Sequence, residues 1–164
     1  MKRVALLLLA ALLIAALIKM GLLDFFKPQS ERYPKPETVE VEDGNLILTQ
    51  ATRENPLAIV GRIADTHSME PTLMGGDAAV VQKIPYADLK EGDIITYRPE
   101  WVKAKYKPGE TVHPVIHRIV QKDKGGWIAS GDNNSRSESN ERVTEQNYEG
   151  KLTRVYRVKK APAK

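Results

Sequence analysis

Apolar and polar positions divide the chain into one long apolar run at the N-terminus and a remainder of short apolar stretches. Val4 to Ile18 is uninterrupted apolar sequence, preceded by Met1-Lys2-Arg3 and followed by Lys19 and then Met20 to Leu23. Beyond Asp24 the pattern changes to strand-length segments separated by turn residues. Val39 and Val41 alternate with Glu40 and Glu42, Asp43-Gly44 is a hairpin dipeptide, and Leu46-Ile47-Leu48 returns, so the period of two predicts a β-hairpin at the start of the folded domain. Leu57 to Ile63 and Ala78 to Ile84 are further runs of strand length. Gly75-Gly76-Asp77 turns the chain between them. Tyr86 to Leu89 reads as one helical turn and Asp93 to Arg98 as a strand. Pro114 to Gln121 is also a strand, since Pro114 and the β-branched Val115, Ile116, Ile119 and Val120 disfavour helix. Trp127 to Ala129 and Lys151 to Val158 bring the total to about eight strands. No internal repeat and no long helix after the N-terminal run is expected, so the pattern predicts a mostly β domain.

The N-terminal run is read as a membrane anchor covering residues 1–26. Val4 to Leu23 matches the ~30 Å hydrocarbon thickness, Lys19 is close enough to one end to snorkel, and no pair of small residues is placed for cleavage after the run. Lys2, Arg3 and the terminal amine place the N-terminus on the cytoplasmic side and everything after Asp24 outside. Pro28, Pro34 and Pro36, spaced by charged and polar residues, make residues 27–36 a short extended linker. The domain proper is residues 37–160, with a tail at 161–164. With 164 residues, 41% of them hydrophobic, the chain can build one core besides the anchor. The formal charge of +4 with no long basic run does not imply nucleic acid, and the absence of cysteine excludes disulfides and thiol catalysis.

Candidate chemistry centres on Thr66-His67-Ser68-Met69-Glu70-Pro71-Thr72-Leu73. A serine hydroxyl attacks a carbonyl only when held near in-line approach with a base at hand. Pro71 fixes one backbone angle and biases Glu70 away from the helical region, so this turn has few alternatives. Ser followed by Glu and Pro is equally a helix-start pattern, and from these eight residues a capping role for Ser68 stays open.

The order of later segments bears on that choice. Gly92-Asp93-Ile94-Ile95-Thr96-Tyr97, Pro114-Val115-Ile116-His117-Arg118-Ile119-Val120, Ser130-Gly131-Asp132-Asn133-Asn134 and Tyr148-Glu149-Gly150-Lys151 come next in turn. With the Ser68 turn, they resemble type I signal peptidases, the S26 serine proteases. The Ser-Met-Glu-Pro, His-Arg-Ile-Val and Gly-Asp-Asn-Asn segments look most like the archaeal and endoplasmic-reticulum branch, which uses histidine where most bacterial members use lysine. The resemblance spans roughly Ile59 to Arg157. It implies coiled antiparallel β-sheets behind one N-terminal transmembrane helix, with Ser68 as nucleophile and His117 as general base. Histidine suits that role, because it takes the serine proton at neutral pH and returns it to the leaving amine; activity should then fall below about pH 6. The resemblance also implies that Thr66, two residues before Ser68, joins the Ser68 N–H in an oxyanion hole. Asp132 is the first candidate to orient His117. The histidine branch carries a second acid, normally aspartate, six positions later, and here that residue is Glu138. In the lysine branch the positions to watch are here Ser137 and Ser139, so the segment departs from both patterns.

The other histidines fit less well. His67 adjoins Ser68, and neighbours on extended backbone point to opposite sides. His113 and His117 sit about 13 Å apart along a straight strand, too far to chelate one metal together. No metal and no cofactor are expected. The family cleaves secretory precursors after small residues, as in Ala-x-Ala, with the substrate laid as an extended strand beside the sheet edge. Ile63, Ala64, Asp65, Val115 and Ile116 would flank it. The partners implied are secretory precursor proteins and the membrane. Other readings stay open: a processing protease dedicated to one exported partner, a self-cleaving or inactive repressor-type relative, or an anchored domain that only binds. Between Arg98 and His113 a long excursion carries Trp101, Tyr106, Lys103, Lys105 and Lys107. It is read either as an ordinary solvated loop or as a membrane-interface element.

Overall fold

The computed structural model describes residues 28–107, 109–134 and 142–159. The expected anchor at 1–26 lies outside these, as do Glu138 and the tail. Among the described residues no helix is long and apolar enough to cross a membrane.

Eight strands form one curled, largely antiparallel sheet, a half-barrel. They are β1 (Glu37–Val41), β2 (Ile59–Arg62), β3 (Ala78–Gln82), β4 (Ile94–Tyr97), β5 (Val115–Asp123), β6 (Gly126–Ser130), β7 (Arg142–Val143) and β8 (Tyr148–Val158). Their order is β2-β3-β8-β4-β5-β6-β7, with β1 added beside β8. The long β8 is the spine. Its first half pairs with β4, and its second half pairs with β1 in parallel, Glu37 opposite Arg154. Along its other edge runs β3. The mostly β expectation therefore holds, and β2 to β6 and β8 fall on the expected apolar runs, whereas the short β7 was not expected.

The opening hairpin does not form. After β1 the Asp43-Gly44 turn closes through Asn45 N–H to Asp43 Oδ1, and the chain then enters α2 (Ile47–Glu54) instead of a second strand. Ile47 and Ala51, four residues apart, are both fully buried against Ala78, Val80 and Tyr156. That helical spacing outweighs the local β-branched and leucine content. The stretch read as an extended linker also has structure. Gln29–Arg32 (α1) makes one helical turn, Gln29 and Ser30 are buried, and the Tyr33 hydroxyl donates to Glu91 at 2.7 Å.

Two apolar clusters brace the elements that position Ser68 and His117, one on each side of the β4–β5 pair. Tyr97, Ile119, Trp127, Ala129 and Tyr148 fill the space beside β4, β5 and β6. Met69 and Leu73 pack on Ala79, Ile94, Leu152 and Val155, so the turn between β2 and β3 is pinned to the sheet by its own apolar residues. Burying two such side chains is worth roughly 1.5–3 kcal/mol each.

Candidate active site

The β2–β3 connection holds Ser68. Met69 and Leu73 are 3% and 1% exposed, which fixes the backbone just after the serine. The connection is tied at its base as well: Ile63 N–H donates to Asp77 O at 2.8 Å and Gly76 N–H to Ile63 O at 3.0 Å. Buried Asp77 accepts from Met74 N–H and from the Arg157 guanidinium, which also reaches Thr72 O at 3.0 Å. Ser68 is therefore a half-buried hydroxyl on a turn braced from both ends.

Thr66 Oγ1 lies 3.2 Å from Ser68 Oγ. Among the described residues the Ser68 N–H has no acceptor, so it is free to donate to an incoming oxygen. His67 has φ of 59°, the left-handed region that costs a residue with a Cβ. Its Nδ1 is 2.9 Å from Glu70 Oε1 and 3.7 Å from Asp65 Oδ1, and the two carboxylates raise its pKa, Glu70 foremost. The backbone at His67 is thus not extended as expected, and what occupies this imidazole is its bond to Glu70 across the turn. Asp65, His67 and Glu70 bring three donor atoms within 4.8 Å of one another on the exposed side of the turn.

His117 lies on β5 opposite Ile95 of β4, with its ring 6.3 Å from that of Tyr97. Burial lowers its pKa to about 4, and the charge of Asp132 raises it only in part. No hydrogen bond to either ring nitrogen occurs among the described residues. Ser68 and His117 open onto one groove of about 1210 Å³ without being hydrogen-bonded to each other. Of the residues expected to flank substrate, Ile63, Ala64, Val115 and Ile116 line this groove, whereas the Asp65 carboxylate packs against Gly75.

Asp132 is brought close to the serine turn, but its oxygens are committed elsewhere. Arg118 Nε and Nη2 each donate to it at 2.8 Å, and Thr72 Oγ1 donates at 2.5 Å. Both side chains of the ion pair are sealed from solvent, and Arg118 also donates through Nη1 to Gly92 O at 2.8 Å and stacks near the Tyr33 ring. Asp132 thus joins β5, through the residue after His117, to the serine turn through Thr72, and reaches His117 only through space. Gly131 sits so close to the serine that a Cβ there would collide with Ser68 O. The sequence motifs assigned no role to Arg118, Thr72 or Asn133. Arg118 could have been suspected, as the cation beside the base on a strand with apolar neighbours, where a buried charge demands a partner.

The 98–113 excursion is part of the site. It contains α3 (Glu100–Lys103), buries Val102, and sets Trp101, Lys105 and Tyr106 along the groove. Lys105 Nζ lies 4.6 Å from the Trp101 ring centre, and Tyr106 meets the His113 ring edge-on.

No protein-family model matches the chain, and no curated protein matches it.

Proposed function

We propose that this protein is a membrane-anchored serine endopeptidase of the signal peptidase I type, removing signal peptides from exported precursors after small residues. The observation that carries the reading is that Ser68, with Thr66 Oγ1 3.2 Å from its hydroxyl and an N–H that has no acceptor among the described residues, shares one apolar groove with His117.

Ser68 Oγ attacks the scissile carbonyl carbon as His117 takes its proton, forming a tetrahedral oxyanion. The Ser68 N–H and Thr66 hydroxyl donate to that oxygen where charge develops. Collapse breaks the C–N bond, and His117 returns the proton to the leaving amine. Water then attacks the acyl-enzyme with His117 again as base, releasing the new carboxylate and restoring Ser68. The precursor lies extended along the exposed edge of β2, between Ile63-Ala64 and Val115-Ile116. Residues 1–26 hold the chain in the membrane with the β domain on the extracytoplasmic side, where precursors emerge.

The test is precursor processing in membranes containing the wild-type chain, Ser68→Ala or His117→Ala. The reading predicts mature product with wild type and accumulated precursor with either variant. A binding domain would keep its effect in both.

A further inference from the structure

The geometry points to Asn133 as a positioning residue that aims the Ser68 N–H, an inference that rests on the reading of Ser68 as nucleophile. The serine lies between two peptide groups, and Asn133 holds both. Its backbone N–H donates to Ser68 O at 2.9 Å, and its side-chain Nδ2 donates to His67 O at 3.1 Å. The second bond has the sharper consequence. His67 C=O and Ser68 N–H belong to one planar trans peptide and point in opposite directions, so a donor fixed on the carbonyl fixes where the N–H aims. That N–H is the group expected to meet the oxyanion.

The peptide needs such a restraint. His67 sits in the sparsely populated left-handed region, and the other bond to its carbonyl, from Glu70 N–H, is long at 3.3 Å. Rotation of this one peptide would turn the Ser68 N–H away while leaving the side chain in the groove.

Asn133 itself stands on rigid ground. Asn134 N–H closes the turn onto Gly131 O at 3.1 Å, and Gly131 is admitted against Ser68 O only because it has no Cβ. Asp132, one residue before, is locked by two bonds from Arg118 and one from Thr72. Asn133 is exposed, so its side chain can be changed without opening the core.

The experiment compares the full chain in detergent with Asn133→Ala and the isosteric Asn133→Asp. Steady-state cleavage of a reporter precursor is measured, together with amide hydrogen exchange of the segment 66–73. Loss of an aimed oxyanion donor should lower kcat on the order of 10²-fold, with KM within about twofold, and exchange in the segment should accelerate. In Asn133→Asp the introduced carboxyl cannot donate while ionised. The ratio of its kcat to that of wild type should rise as pH falls toward about 4, where a carboxyl regains its proton. Unchanged kcat and exchange in both variants, with an active wild type, would overturn the inference and leave the proposed function standing. A wild type that does not cleave would remove the function, while faster exchange in Asn133→Ala would still support the restraint on the 67–68 peptide.

Discussion

At the scale of single residues, His117 is the position where structure alters the expected chemistry most. Its ordinary pKa near 6.5 is pushed down to about 4 by burial. The acid limb of kcat/KM for the free protein should therefore have its midpoint near pH 4, not near 6, and a pH–rate profile from pH 3.5 to 8 checks this. Linkage gives the same group a role in stability. Because the folded pKa is below the unfolded one, the unfolded chain binds the proton first. Stability from keeping His117 neutral is thus present above pH 6.5 and is lost as pH falls through about 4. Thr66→Val should lower kcat about 10²-fold with KM little changed, as removal of one oxyanion donor does elsewhere; equal changes in both constants would argue against that role. Asp132→Asn should cost roughly 3–5 kcal/mol in denaturant unfolding, because it leaves Arg118 buried without its countercharge. Ser68 and His117 were picked out as candidates from motif and segment order, and both line one groove. The partners of Asp132 were not legible, because a motif specifies which residue is present and says nothing of where its carboxylate points.

At the scale of elements, the apolar runs located strands well where paired β-branched residues mark them, Val80-Val81 in β3 and Val115-Ile116 with Ile119-Val120 in β5. They misled where a short run was ambiguous in period. Leu46-Ile47-Leu48 reads as a returning strand, but the partner that decides is Ala51, one helical turn on from Ile47 and equally buried. Ile47→Ala should cost about 2–5 kcal/mol, measured by denaturant unfolding, since that side chain fills the space between α2 and the sheet. The excursion at 98–113 was legible as unusual in length, but its place as a groove wall depends on Val102 being buried beneath it, a contact far from any local signal. Replacing Trp101 by alanine should raise KM for a precursor severalfold with kcat little affected, because Trp101 lines the groove and the proposed chemistry gives it no part in proton transfer or oxyanion binding.

At the scale of the whole molecule, β8 makes the site possible. By pairing with β3 on one edge and β4 on the other, it sets the serine turn, which leads into β3, across from the β4–β5 pair that holds His117. Such long-range pairing is invisible to a window of ten residues, which is why the strands were legible and their order was not. The central claim of the proposed function joins anchor and domain: a groove held at a membrane and lined by Ser68 as nucleophile and His117 as base. The measurement that tests this most directly is mass spectrometry of the products when the detergent-solubilised full chain meets a reporter precursor with an Ala-x-Ala junction, with Ser68→Ala in parallel. The expected result is cleavage after the second alanine by wild type and none by the variant. An intact precursor with folded wild type, or equal cleavage by Ser68→Ala, would contradict it.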